Sequence, residues 1–126
     1  MRVSGALPLL LLVLAACDSH VRGAEAREAA AITGGDPARA PALMRTYGCA
    51  SCHTIPGVDG ANALVGPPLT HMASRAYIGG VLPNSPDNLM RWIRDPKGVD
   101  SLTAMPNTGV SESDARHIAA YLYTLR

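Results

Sequence analysis

Cys49-Ala50-Ser51-Cys52-His53 sets two thiols and an imidazole within five consecutive residues, and the order C-x-x-C-H decides how the rest of the chain is read. On one turn, each thiol can add across a vinyl group of a haem, and the adjacent imidazole is then held against the iron as its proximal ligand. Other readings of the same residues fit less well. A structural zinc site wants four nitrogen or sulfur ligands, and there is no second cysteine pair. A thioredoxin-like C-x-x-C follows a strand, whereas the segment upstream of Cys49 reads as helix. A plain disulfide has no use for His53 directly after the second cysteine.

The chain has 126 residues and a formal net charge of +1. Met1–Ala16 reads as an export signal, with Arg2 as its positive start and an apolar run from Ala6 to Ala16 that is too short to span a bilayer. Its end, Leu14-Ala15-Ala16-Cys17, resembles the lipobox of bacterial lipoproteins, which makes Cys17 the expected lipidation site and first mature residue. Cysteine bookkeeping favours this over an ordinary cleavage site, because an unmodified Cys17 would be an odd thiol in an exported protein. Multiple acyl chains would hold the protein firmly to a membrane. Three regions follow: signal 1–16, lipidated Cys17 and flexible tether 17–35, and a folded domain 36–126.

Asp18–Gly35 is rich in Ala, Gly and charge and ends in Gly34-Gly35, so it reads as a coil spanning roughly 20–25 Å. Asp36-Pro37 is an N-cap followed by proline at the first helical position, opening a helix that Gly48 stops. Ser85-Pro86 opens another, with Leu89, Trp92 and Ile93 at helical spacing and an end before Pro96. Ser111-x-x-Asp114 opens the last, whose stripe is Ala115, Ile118, Ala119, Leu122 and Leu125. The Pro- and Gly-rich remainder reads as loop without strands. The domain is therefore expected to be all-α, with three to five helices wrapped around one haem. With no Phe, one Trp and four Tyr, the polypeptide is poor in aromatic core material, which a buried macrocycle supplies. The near-neutral balance gives no reason to expect nucleic acid as a partner.

Several side chains could reach the sixth coordination position: Met44, Met72, Met90, Met105, His20, His71 and His117. Met44 and Met90 sit inside helices, His117 on the polar side of the last helix and His20 in the tether. Met105, in the irregular loop Ala104-Met105-Pro106, is free to fold over the ring and is the preferred ligand, with His71 next.

Helix, C-x-x-C-H, Gly66-Pro67-Pro68-Leu69, a helix ending at Asp95-Pro96, Met105-Pro106 and a terminal helix follow one another as in class I cytochromes c. From about Gly35 onward the chain resembles that family, most of all bacterial mono-haem members, including domains appended to haem–copper oxidase subunits. The resemblance implies one haem c bound through Cys49 and Cys52, ligated by His53 and Met105. It also implies a hydrogen bond from His53 to the Pro67 carbonyl, Leu69 packed on the ring, and a contact between first and last helices involving Gly48 and Tyr121. Tyr77 and Trp92 are expected nearby, as propionate donors or walls. A haem with both axial sites filled exchanges electrons rather than binding substrate, so a carrier and not an enzyme is expected. Its transfer edge should be ringed by uncharged residues such as Ala50, Ile55 and Ala104. The expected setting is the periplasmic face of a bacterial inner membrane, between a quinol-oxidising complex or dehydrogenase and a terminal oxidase. The alternatives are a five-coordinate haem binding gas or peroxide, and a bound subunit of a larger oxidase or dehydrogenase.

Overall fold

Helix α5 (Glu112–Tyr123) is the element on which the others close, because its small and aliphatic side chains let helices approach from several sides. In the computed structural model the backbone is described for residues 6–126 and side chains for residues 20–126. Part of the expected export signal, residues 1–5, lies outside the described residues, as does the side chain of Cys17. Among the described residues no helix is long and apolar enough to cross a membrane.

The order is α1 (Ala6–Thr33), a 3₁₀ turn at Pro37–Arg39, α2 (Ala40–Thr46), a 3₁₀ turn at Cys49–Ser51, another at Met72–Ser74, strands β1 (Tyr77–Ile78) and β2 (Leu82–Pro83), α3 (Pro86–Arg94), α4 (Pro96–Val99) and α5. The all-α expectation holds, with five α-helices among the described residues. Ala115, Ile118, Ala119 and Leu122 are all buried on α5, and they meet Ala40 and Met44 of α2 and Leu89 and Ile93 of α3 in one core.

Caps follow the sequence signals. Ser85 Oγ accepts from Asn88 N–H at 3.3 Å, and Ser111 Oγ accepts from Asp114 N–H at 3.1 Å, each satisfying an orphan donor of a first turn. The single helix expected from Asp36 is instead a 3₁₀ turn followed by α2. Pro41 has no N–H to give the Pro37 carbonyl, so Ala40 N–H takes that acceptor one residue earlier. Two short elements lie in segments read as loop. Asp95 caps α4 by accepting from Gly98 N–H at 2.9 Å. The two-residue strands pair antiparallel, Tyr77 with Pro83 and Ile78 with Leu82, around Gly79 and Gly80 at φ of 57° and 76°.

The largest departure concerns Asp18–Gly35, expected as a flexible tether. It is helix through Thr33, and the end of that helix docks on α5. Ala29 is buried, and Thr33 Oγ1, also buried, donates to the Ala29 carbonyl at 2.7 Å and accepts from Gly35 N–H at 3.2 Å. Arg126 pairs with Glu28 at 2.8 Å and Glu25 at 3.4 Å, exposed contacts worth little individually. Ala24–Ala31, expected to be at most transiently helical within a flexible tether, is stable helix, because its alanines favour helix and permit close packing on α5. At the junction, a Cβ on Gly35 would lie 2.1 Å from the Arg116 carbonyl oxygen, so only glycine lets the chain cross α5 there.

His117, read as lying on the polar side of the last helix, is a staple. Its Nδ1 accepts from Asp36 N–H at 2.8 Å, and its Nε2 lies 2.9 Å from Arg39. Tyr47 Oη donates to Asp114 at 2.6 Å, and that bond holds the Asp114 carboxyl below its usual range. Gly48 is not the close-approach residue expected: a Cβ there would meet nothing within 4 Å, and its role is the left-handed φ of 78° that ends α2. Tyr121 reaches the haem-motif side of the fold instead, donating to the Pro56 carbonyl at 2.6 Å.

Gly35→Ala is expected to destabilise the holoprotein by roughly 1–3 kcal/mol in denaturant unfolding, the usual cost of forcing atoms into a filled site. An unchanged midpoint would mean that the end of α1 does not dock.

Candidate functional site

The left-handed Gly48 turns the chain out of α2 and into a tight turn in which Ser51 N–H bonds Gly48 O and His53 N–H bonds Cys49 O, both at 3.0 Å. Cys49, Cys52 and His53 thereby face one cavity of about 380 Å³. The loop that follows is tied back onto the turn, Gly66 N–H to Cys52 O at 2.7 Å and Leu69 N–H to Thr54 O at 2.8 Å. This brings the Pro67 carbonyl oxygen to 2.7 Å from His53 Nδ1. A carbonyl can only accept, so Nδ1 carries the proton and Nε2 keeps its lone pair for a ligand bond. Gly66 lies against the imidazole: a Cβ there would be 2.5 Å from Cε1 and 2.8 Å from Nδ1.

The cavity wall is mainly apolar, from Met44 of α2, Leu89, Trp92 and Ile93 of α3, Ile118 and Leu122 of α5, and Leu69, Met72 and Ile78 between them. Both thiols are free, and burial pushes the Cys49 thiol up, keeping it protonated. Trp92 packs so closely on Gly79 that a Cβ on that glycine would be 2.6 Å from the indole. Thr103, Ala104, Met105 and Pro106 close one side. That loop is braced by α4: Lys97 Nζ donates to the Thr103 carbonyl, and Asn107 Nδ2 donates to Asp95 at 3.0 Å.

Cys49, Cys52, His53, Pro67, Leu69, Trp92 and Met105 thus all line the cavity. Tyr77 does not. In β1 alternate side chains face opposite ways, so Ile78 is buried on the cavity side while Tyr77 is 60% exposed. His71, the second choice for the sixth position, is exposed at a left-handed φ of 54° and is not on the wall. Ile55, expected on an exposed rim, is buried in the core. Met44 and Met72 are buried and line the cavity beside Met105, which is half-buried on its loop.

Sequence reasoning missed Arg75. It is the one lining residue with a permanently charged side chain, and its Nη2 donates to the carbonyls of Pro68 at 2.6 Å and Thr70 at 2.8 Å. Only the coincidence of a lone arginine nine residues beyond Gly66 hinted at it. A second, more open groove of about 460 Å³ between α3 and α5 carries Asp87, Arg91, Arg94, Asp95, Glu112 and Arg116 and shares only Val110 with the wall of the first cavity. Its charges neutralise one another, and the Arg116 hydrogen bond holds Glu112 below its usual range. Among the described residues no cluster of three or more His, Cys, Asp or Glu could hold a bare metal ion.

Two thiols, one imidazole with a free Nε2, an apolar wall and a single buried-edge cation form a donor set that suits an amphiphilic macrocycle bearing iron and two carboxylates. The chain belongs to the cytochrome c family: the family model described as Cytochrome c matches residues 37–126. It is 37% identical over 79 residues to cytochrome c oxidase subunit 2 of Alkalihalophilus pseudofirmus, covering 62% of this chain and 22% of that protein. It is 29% identical over 82 residues to cytochrome c oxidase subunit 2 of Bacillus sp. strain PS3, covering 62% and 23%. The chain therefore spans less than a quarter of the length of these relatives. No solved structure matches. Family membership gives the cofactor as covalently bound haem c, with Cys49 and Cys52 in the C-x-x-C-H positions, and the general role as a haem c electron carrier.

Gly66→Ala is expected to displace the His53 ring and break its bond to Pro67. The expected readouts on the holoprotein are a shifted low-spin absorption spectrum and a stability loss of roughly 1–3 kcal/mol. A spectrum and unfolding midpoint matching wild type would contradict the packing of glycine on imidazole.

Proposed function

We propose that this cytochrome c delivers electrons to a terminal oxidase from the outer face of a bacterial inner membrane, with His53 and Met105 as axial ligands and a lipid on Cys17 as anchor. The observation that carries the oxidase assignment is the similarity to two bacterial proteins named cytochrome c oxidase subunit 2. Bound in the cavity, the haem supplies one reversibly exchangeable electron at iron.

Each wall residue then has a task. Cys49 and Cys52 would hold the ring covalently. The Pro67 carbonyl orients His53 and raises the basicity of its Nε2. Met105 comes from the loop braced by α4, whereas Met44 and Met72 are locked in core packing, so Met105 is the thioether with freedom to reach an axial position. A thioether favours the ferrous state, and an apolar wall does likewise, which suits the oxidising end of a respiratory chain. Arg75 lines the cavity where a propionate could pair with it, and Trp92 would shield the ring from water. Tyr77 has no part in this arrangement.

Anchoring works differently from a loose leash. At 1.5 Å per residue, a helix from Cys17 to Thr33 rises about 24 Å and hands the domain to the membrane at a set height, rather than letting it search a hemisphere. Surface confinement still raises the effective concentration of a membrane-bound partner.

Met105→Ala is expected to lower the midpoint potential by on the order of 100 mV, within the ~0.8 V span that axial ligands command, and to admit CO to ferrous iron. Wild-type protein that already binds CO rapidly, or a variant with unchanged potential, would remove Met105 from the iron. Cys17→Ser should release the protein from washed membranes with its absorption spectrum unchanged, and continued membrane attachment would defeat the lipid anchor.

A further inference from the structure

Charge is segregated in this chain. Thr46–Val58, Gly60–Ser74 and Ser101–Ser111 contain no Asp, Glu, Lys or Arg, although the whole chain carries 21 such residues. These three segments supply the haem motif, the Pro67 loop and the Met105 loop, which together bound one side of the haem cavity. Only Asp59 interrupts the first pair, and Arg75, just beyond the second, turns inward to the Pro68 and Thr70 carbonyls. Lys97, below the third, is engaged with the Thr103 carbonyl.

Among the described residues, the same segments hold the most exposed large apolar side chains. Leu64 and Val65 are each 80% exposed and Leu102 is 90% exposed. Val65 lines the cavity, and Leu102 adjoins Thr103, which does too. A single exposed apolar side chain needs no explanation, but two leucines and a valine on the uncharged segments that bound a redox site do.

We propose that this rim is the surface on which the redox partner docks, and that the partner presents an uncharged, apolar face of its own. A charged partner face would lose hydration against the rim and find only Asp59 and Asp100 at its margins, so it is disfavoured. Encounter is therefore set by diffusion and apolar contact rather than by electrostatic steering. In the transfer itself one electron leaves ferrous iron for the partner's acceptor, the iron becomes ferric, and no proton or group moves. The inference rests on the electron-carrier reading and adds the chemistry of the partner to it.

The test uses the intact holoprotein and a purified bacterial cytochrome c oxidase in detergent. Stopped-flow oxidation of the ferrous protein should change less than about twofold as salt is raised from roughly 10 to 300 mM, where screening contracts severalfold. Leu64→Asp and Leu102→Asp should each slow it about tenfold, because a desolvated carboxylate opposes apolar docking, while spectrum and midpoint potential stay at wild-type values. A rate that falls about tenfold or more with salt, or that ignores both substitutions, overturns the proposal. Electron self-exchange between ferrous and ferric copies, followed by NMR, reads the rim without the oxidase. It should be as insensitive to salt and be slowed by the same two variants. If the oxidase fails to react while self-exchange behaves this way, the oxidase assignment falls and the rim stands; if self-exchange ignores the variants, the rim falls. A stable dimer in sedimentation would also overturn it, by making a second copy the resident occupant.

Discussion

The 2.7 Å hydrogen bond from His53 Nδ1 to the Pro67 carbonyl joins the two loops on which the whole site depends. One loop brings the thiols and imidazole to a single wall, and the other locks the imidazole tautomer and presses Gly66 against its ring. Backbone bonds from Gly66 and Leu69 to Cys52 and Thr54 make the two loops one unit. The imidazole is thus oriented by the protein itself, which is the condition for a low-reorganisation electron site.

Around that unit the fold divides its labour. Helix α5 is the common partner of α1, α2 and α3, and its small side chains set how closely they pack. Polar staples are few and specific: His117 to Asp36, Tyr47 to Asp114, Tyr121 to Pro56, and Tyr123 to Asn84. Asn84 in turn donates to the carbonyls of Met72 and Arg75 at 2.8 Å, tying the terminal helix to the loop behind the cavity. Burial pushes the Tyr123 hydroxyl up to about 12, in keeping with its place at the core edge. Most charge sits on the helices, and the loops at the cavity mouth carry almost none.

Much of this was legible in the sequence because its signals are local. C-x-x-C-H, Asp36-Pro37, Ser85-Pro86 and Ser111-x-x-Asp114 each specify a turn or cap through neighbouring atoms, and each lies where it was read. The largest failure involves distant contacts. The docking of α1 depends on Ala29, Thr33 and Gly35 meeting a helix some eighty residues away, which no local pattern announces. Tyr77 was misplaced because a two-residue strand is too short to reveal which side chain faces in. Arg75 was missed because its partners are backbone carbonyls, which leave no trace in sequence. Helix α4 went unread since a four-residue element is stabilised by Asp95 and Asn107 rather than by apolar periodicity.

Everything at the site depends on Cys49 and Cys52 holding the haem by covalent bonds. The direct measurement is haem staining and pyridine haemochrome spectroscopy of denatured, acid-acetone-extracted protein, comparing wild type with the Cys49→Ser/Cys52→Ser double variant. Colour is expected to stay with the wild-type polypeptide, with the spectrum of saturated thioether-linked side chains, and to be absent from the variant. Haem extracted freely from wild type, or still attached to the double variant, would contradict it.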